Sequence, residues 1–370
     1  MKRNVLILGA SYGSLFATKL LLAGHRVSLV CTKPTAELIN HEGTVVRFPI
    51  KRREGLLDIK SKQLPGNLSG ATPDEADPTK FDLVVLAMQE AQYGSPGVRE
   101  LMRRVAQARV PCLAIMNMPP LPYLKRIPLL AQRANMEALE PCYTDPRVWD
   151  GFDPALTTLA SPDPQAFRPP DQPKNVLLVG LPTNFKAARF DAEAPTALLR
   201  QLEADIEAAR FDPKLPSPLG GEGLGVRGEC PIEIPVKLKV HDSLFVPLAK
   251  WPMLMAGNYR CVRRDEMIPI RDAVHGNSVK SQEIYDWVWN LCKALGAADA
   301  DMVPFDKYAK AAENLAKPSS AARELFGGAE HIERVDCLIR RIARQQGLQC
   351  DTLDEIVTLV DERLAKNRGL

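Results

Sequence analysis

No apolar run in this 370-residue chain reaches the roughly 18 residues that a membrane-spanning helix requires. An excess of one charge is missing as well: 48 Lys and Arg against 45 Asp and Glu leave a formal charge of +3, with both signs mixed along the chain. A nucleic-acid or anionic membrane surface needs a concentrated basic face, so neither partner is expected. The eight cysteines stand at positions 31, 112, 142, 230, 261, 292, 337 and 350, never in C-x-x-C spacing. Several lie in apolar stretches, as buried free thiols do, and neither a disulfide framework nor a metal site is indicated. Met1-Lys2-Arg3 before an apolar stretch imitates the start of a secretory leader, but Gly9 to Gly13 interrupt the apolar core and Lys19 follows. The chain is therefore expected in the cytoplasm.

What is present begins at the N-terminus. The segment NVLILGASYGSLFATKLLLAGHRVSLVCTK, Asn4 to Lys33, holds an apolar run from Val5 to Leu8 that ends in Gly9. Small residues follow, then an apolar segment from Leu15 to Leu22, a Gly24-His25 break and a second apolar run from Val27 to Val30. The pattern predicts strand, tight turn, helix and strand, the first half of a dinucleotide-binding unit. Gly9, Ala10, Ser11, Tyr12, Gly13 and Ser14 would form the turn, where small residues let backbone N–H groups approach a pyrophosphate. Against G-x-G-x-x-G the second and third glycines are Ser11 and Ser14, so position between two strands carries more weight than the motif. The second strand runs into Cys31-Thr32-Lys33 with no carboxylate before Glu37. NAD sites place an acid there and NADP sites a cation. Lys33 is expected to pair with a 2′-phosphate and Thr32 to hydrogen-bond it, which favours NADP, against the alternative of a solvated loop lysine.

Length allows two domains. Ala36 to Asn40 reads as a short helical turn, and Val45 to Pro49 and Leu56 to Ile59 as short edge strands. Pro65 to Lys80 reads as loop. Phe81 to Met88 and Pro111 to Met116 are near-continuous apolar runs, as in strands buried on both faces, with a helix between them around Val98 to Ala108. Alternating strands and helices predict a doubly wound parallel sheet of Rossmann type, with ligands beyond the C-terminal strand ends, where Gly9 to Gly13, Gln89 and Asn117 fall. A proline-rich excursion at 140–174 interrupts the pattern, before a strand at Asn175 to Leu181 and a helix at Ala194 to Ala209. The Gly223 to Gly228 stretch matches G-x-G-x-x-G formally, but no strand precedes it; 211–230 reads as an inserted mobile loop. Beyond it the pattern is helical: Ser243 to Tyr259 with a kink at Pro252, Gln282 to Leu295, Asp306 to Leu315, Glu330 to Gln346 and Leu353 to Lys366. The expected organisation is an α/β nucleotide-binding domain over 1–210, the loop, and an all-α substrate and dimerisation domain over 231–370.

Specific residues then resemble those of the ketopantoate reductase (2-dehydropantoate 2-reductase) family. Lys250-Trp-Pro-Met-Leu-Met-Ala-Gly-Asn258 resembles the family's helix with a catalytic Lys and an Asn eight residues on. Pro318-Ser319-Ser320 resembles its Ser-Ser motif, and Asn117 its strand-end Asn. The resemblance implies NADPH-dependent reduction of a 2-oxo acid to a 2-hydroxy acid. It makes Lys250 the general acid, Asn258, Ser319 and Ser320 substrate contacts, and Asn117 and Gln89 cofactor-facing residues. It also implies a homodimer through the helical domain. The sequence departs from the family where a late-helix Glu should bind the substrate hydroxyl: spacing reaches His331, with Glu330 and Glu333 out of register. His331 is expected either to replace that Glu or to be a solvated histidine. Leu254 stands where the family has a second Asn, and Gln89 where it has a Lys. These changes imply altered specificity toward another 2-oxo acid or an imine. The alternatives are an opine- or hydroxyacid-type dehydrogenase and an inactive nucleotide-binding regulator.

Overall fold

The computed structural model describes residues 1–50, 54–212 and 231–369. The chain divides into two compact units. One comprises Met1–Met88, Ser95–Met116 and Val148–Asp242, the other Gln89–Gly94, Asn117–Arg147 and Ser243–Leu370. The first unit therefore reaches past 210, and 117–147 belongs with the helical unit rather than with the sheet. Residues 213–230, which hold the formal glycine motif and nearly all of the expected inserted loop, lie outside the described residues. At their borders Phe211 and Ile232 exchange backbone hydrogen bonds of 2.9 and 2.7 Å.

The first unit contains the strands β1 (Asn4–Leu8), β2 (Arg26–Val30), β3 (Val45–Pro49), β4 (Leu56–Lys60), β5 (Asn67–Ala71), β6 (Leu83–Leu86), β7 (Cys112–Ile115), β8 (Thr157–Ser161), β9 (Gln165–Phe167), β10 (Val176–Leu181), β11 (Phe185–Ala188) and β12 (Leu238–His241). Eight of them form a sheet in the order β12-β11-β8-β7-β6-β1-β2-β5, parallel throughout except where β11 meets β8. The other four form a small sheet, β4-β3-β10-β9. β5 falls within the stretch that reads as loop, and β8 and β9 within the proline-rich excursion. NLSGA in β5 has little apolar content, and its register alongside β2 comes from the backbone ladder and from packing on the helix Lys33–Glu42. β10, the strand expected at Asn175 to Leu181, lies in the small sheet between β3 and β9.

β6 and β7 are buried along their whole length and β1 along all but its first residue, as strands of a sheet covered on both faces must be. Chain order reverses at β1, which has β2 on one side and β6 on the other, and such a switch point opens a crevice at the C-terminal strand ends. The helix Gly13–Leu22 follows β1 and is buried throughout. Its Lys19 is accommodated by donating to the carbonyls of Ile234 and Pro235 at 2.6 and 3.2 Å, and burial pulls its pKa down to about 7.

The second unit is helical in its Ser243–Leu370 segment apart from an isolated bridge between Val262 and Met267. Where one long kinked helix was expected, the backbone changes pitch repeatedly. A 3₁₀ turn, Pro247–Ala249, leads into the α-turn Lys250–Met253, the π-helical turn Leu254–Asn258 and a second 3₁₀ turn, Tyr259–Cys261. Pro252 removes one N–H from the ladder, and Tyr308 inserts its hydroxyl to donate to the Met253 carbonyl at 3.0 Å, a recognised cause of such pitch changes. Among the described residues no helix is long and apolar enough to cross a membrane.

Candidate functional site

In the first unit the turn after β1 is shaped by close packing. Gly9 has φ +104°, and a Cβ there would come 2.6 Å from the Ala87 carbonyl oxygen; a Cβ on Gly13 would come 2.7 Å from Ile7. Both positions need glycine, the first on conformational grounds also. Ala10 and Ser14 are buried and Ser11 is exposed. The Ser14 hydroxyl donates back to the Ala10 carbonyl, so it braces the turn. Tyr12 donates to the Pro164 carbonyl at 2.6 Å and meets Phe185 edge-on, which makes it a strut as well.

Past β2 the chain turns at once into the helix Lys33–Glu42, with Thr32 at its N-cap position and its hydroxyl 3.1 Å from that of Thr35. Thr32 and Lys33 are exposed. A second cation stands near this strand end. Arg168 from the proline-rich excursion acts on the Cys31 thiol, and partial burial lowers the Arg168 pKa. Nothing local in the sequence marks it, because β9 brings it there through tertiary pairing. A cramped glycine turn at a switch point, with Lys33 and Arg168 near the end of β2 and Glu75 facing Lys33, offers a cradle for the phosphates of a dinucleotide.

In the second unit the centre of interest is Glu333. It is partly buried in the non-helical segment ahead of the helix Val335–Gln345. Asn117 Nδ2 donates to its carboxylate at 3.3 Å. Burial raises its pKa from 4.5 to about 7; the charges of Glu90 and Glu324 push the same way, while the Asn117 hydrogen bond and the Lys250 charge oppose them. The Asn117 Oδ1 is buried and has no hydrogen-bond partner of its own. The backbone around Glu333 is pinned: Tyr259, buried, donates to the Glu333 carbonyl and accepts from the Val335 N–H at 3.2 Å. Arg334 grips the buried Asp336 with two bonds of 3.0 and 2.9 Å.

His331 does not take this place. It is exposed, its Nδ1 3.4 Å from Arg368. Spacing from Ser319 and from Gly347 points to it, but the segment ahead of the helix at Val335 is not helical and turns His331 outward. Glu333, out of register by that spacing, is the acid that the fold sets beside Asn117.

The remaining expected residues are placed as follows. Lys250, partly buried, opens the α-turn and Asn258 closes the π-turn. Ser319 is buried, caps the helix Ser320–Phe326 by accepting from the Ala322 N–H at 3.1 Å, and donates to the Asn258 carbonyl at 2.6 Å. Ser320 is exposed as the first residue of that helix. Gln89 Nε2 donates to Glu324 at 2.6 Å, so its amide is held by this carboxylate. Glu324, partly buried with its pKa raised by desolvation, is a further polar residue that spacing did not single out. Glu90 is buried and accepts from the Thr144 N–H at 3.1 Å.

Comparison with protein-family models and with curated proteins finds no match. Solved structures do match over full length. A protein assigned as a ketopantoate reductase from Ralstonia solanacearum MolK2 aligns over 100% of both chains at 15% identity and a TM-score of 0.65. The 2-dehydropantoate 2-reductase of Methylococcus capsulatus aligns over 98% of this chain and 97% of its own at 14% identity, TM-score 0.61. A dimeric ketopantoate reductase from Staphylococcus aureus aligns over 98% and 99% at 12% identity, TM-score 0.59. From its first strand to its last helix, this chain has the fold of the ketopantoate reductases.

Proposed function

We propose that the chain is an NADPH-dependent oxidoreductase that reduces a 2-oxo acid, or an imine of similar size, with a specificity that differs from that of ketopantoate reductases. The observation that carries this reading is the grouping of Glu333, Asn117 and the Lys250 charge in a chain of that fold. Gly9 to Ser14 would hold the pyrophosphate, and Lys33, Thr32 and Arg168 the 2′-phosphate. The bound nicotinamide supplies a hydride to the carbonyl carbon. Lys250 acts as general acid, giving a proton to the oxygen on which negative charge develops. Asn117 orients Glu333, which binds the substrate's polar arm and takes the place assigned from spacing to His331. Ser320 would bind the substrate carboxylate, and Asn258 lines the substrate on the π-turn that Ser319 fastens. The protein is expected to act as a homodimer.

Gln89 and Glu324 support the altered specificity. Where the family has a Lys, this chain has an amide engaged by a carboxylate, which removes one positive charge and adds one negative group. Fluorescence titration with NADPH and NADH, then NADPH oxidation with ketopantoate and a panel of 2-oxo acids and imines, tests the reading. Tighter NADPH binding and turnover of a panel member are expected. Absence of binding by either cofactor refutes it, and binding without turnover across the panel favours a nucleotide-binding regulator.

A further inference from the structure

Two cysteines that the sequence shows 195 positions apart meet in the fold. The sulfurs of Cys142 and Cys337 are 3.5 Å apart, both residues buried, and the Cys142 thiol donates to the Cys337 sulfur. Cys337 is the third residue of the helix Val335–Gln345, where the helix dipole favours a thiolate. Arg334 and Arg341 add positive charge beside it. The Cys142 hydrogen bond and the two arginines lower the Cys337 pKa, against the upward push of burial and of the buried Asp336 carboxylate. Cys112 and Cys292 show the contrast: burial alone pushes their thiols up, and they keep their protons. Arg341, which donates to the Ala138 carbonyl at 3.1 Å, also lines a cleft of about 330 Å³ together with Ala138, Arg340, Arg344 and Gln345, so a guanidinium that acts on the Cys337 thiol lies at a cleft open to solvent.

We propose that Cys142 and Cys337 are a redox-active dithiol, oxidised to a disulfide by hydrogen peroxide that reaches Cys337 through the arginine-lined cleft, and reduced again by a dithiol that is itself oxidised to a disulfide. The Cys337 thiolate attacks one peroxide oxygen, the O–O bond breaks, and a sulfenic acid and hydroxide result. Hydroxide takes the Cys142 proton and becomes water. The Cys142 sulfur then attacks the Cys337 sulfur; the S–S bond forms, the S–O bond breaks, and the departing hydroxide takes up the proton released when Cys337 ionised, giving a second water. The two sulfurs lose two electrons and the peroxide gains them. The sulfurs need to close from 3.5 Å to about 2.0 Å. The bond would tie Asn117–Arg147 to the helix that follows Glu333, the two segments that carry the Asn117–Glu333 hydrogen bond.

The test uses the full chain. It is treated with stoichiometric hydrogen peroxide, its remaining thiols are alkylated under denaturing conditions, and its peptides are mapped by mass with and without dithiothreitol. A crosslinked peptide pair containing Cys142 and Cys337, lighter by two hydrogens and released by dithiothreitol, is expected. Alkylation of both thiols, a sulfinic acid on Cys337 with Cys142 still reduced, or pairing of either with another cysteine overturns the proposal. Cys142→Ser is expected to shift the product to an over-oxidised Cys337. Because the map is made first on the unaltered chain, the result does not depend on that variant folding.

Discussion

Replacing Glu333 with Gln removes the one carboxyl whose pKa is raised to about 7 at the candidate site, while keeping an acceptor for Asn117. A carboxyl with a folded-state value above its unfolded value of 4.5 contributes its full share of stability only below the unfolded value. That share is lost as pH rises through 4.5 and toward 7, because the unfolded chain gives up its proton first. A move from 4.5 to about 7 corresponds to at most about 3 kcal/mol. The amide pays no such penalty, so Glu333→Gln should gain on the wild type by about 2–3 kcal/mol between pH 5 and pH 8. Urea unfolding of both proteins at the two pH values, followed by tryptophan fluorescence, measures the difference. A difference in stability that stays flat over this interval would refute the raised pKa and the enclosed setting argued for Glu333. The same variant should lose turnover, through the lost substrate contact rather than through lost fold.

Lys250→Ala should lower turnover by about 10²–10⁴-fold with NADPH affinity unchanged, read by titration beside steady-state rates. His331→Ala should leave turnover within about twofold of wild type, since the residue is exposed beside Arg368 and solvated surface side chains carry little; a large loss would return the role to His331. Arg168→Ala should weaken NADPH binding about tenfold with little change for NADH, as expected when one charge-assisted phosphate contact is lost. Gly257→Ala should destabilise by about 2–4 kcal/mol, because its Cβ would lie 2.1 Å from the Tyr308 hydroxyl, and a shift in the denaturation midpoint reads it directly.

How much was legible follows from what each kind of information depends on. β1, β6 and β7 could be read from the sequence because strands covered on both faces are apolar at nearly every position, a local property. The turn after β1 could also be read, since Gly9 answers a backbone need at its own position. Helices with apolar stripes, such as Val335–Gln345 and Asp351–Asn367, were legible for the same reason. β5 and β9 were not. Their residues have no strong preference, and pairing with distant strands decides them. Tertiary structure also enclosed Glu333 beside Asn117 and left His331 exposed, because the helix starts only at Val335 and Tyr259 holds the backbone ahead of it. It alone brought Arg168 toward the end of β2 and Cys142 against Cys337. Local composition was enough for the apolar strands β1, β6 and β7 and for the Gly9 turn, but not for β8, which is buried along its whole length inside the proline-rich stretch. Which side chains face one another across tens to hundreds of residues was decided only by packing.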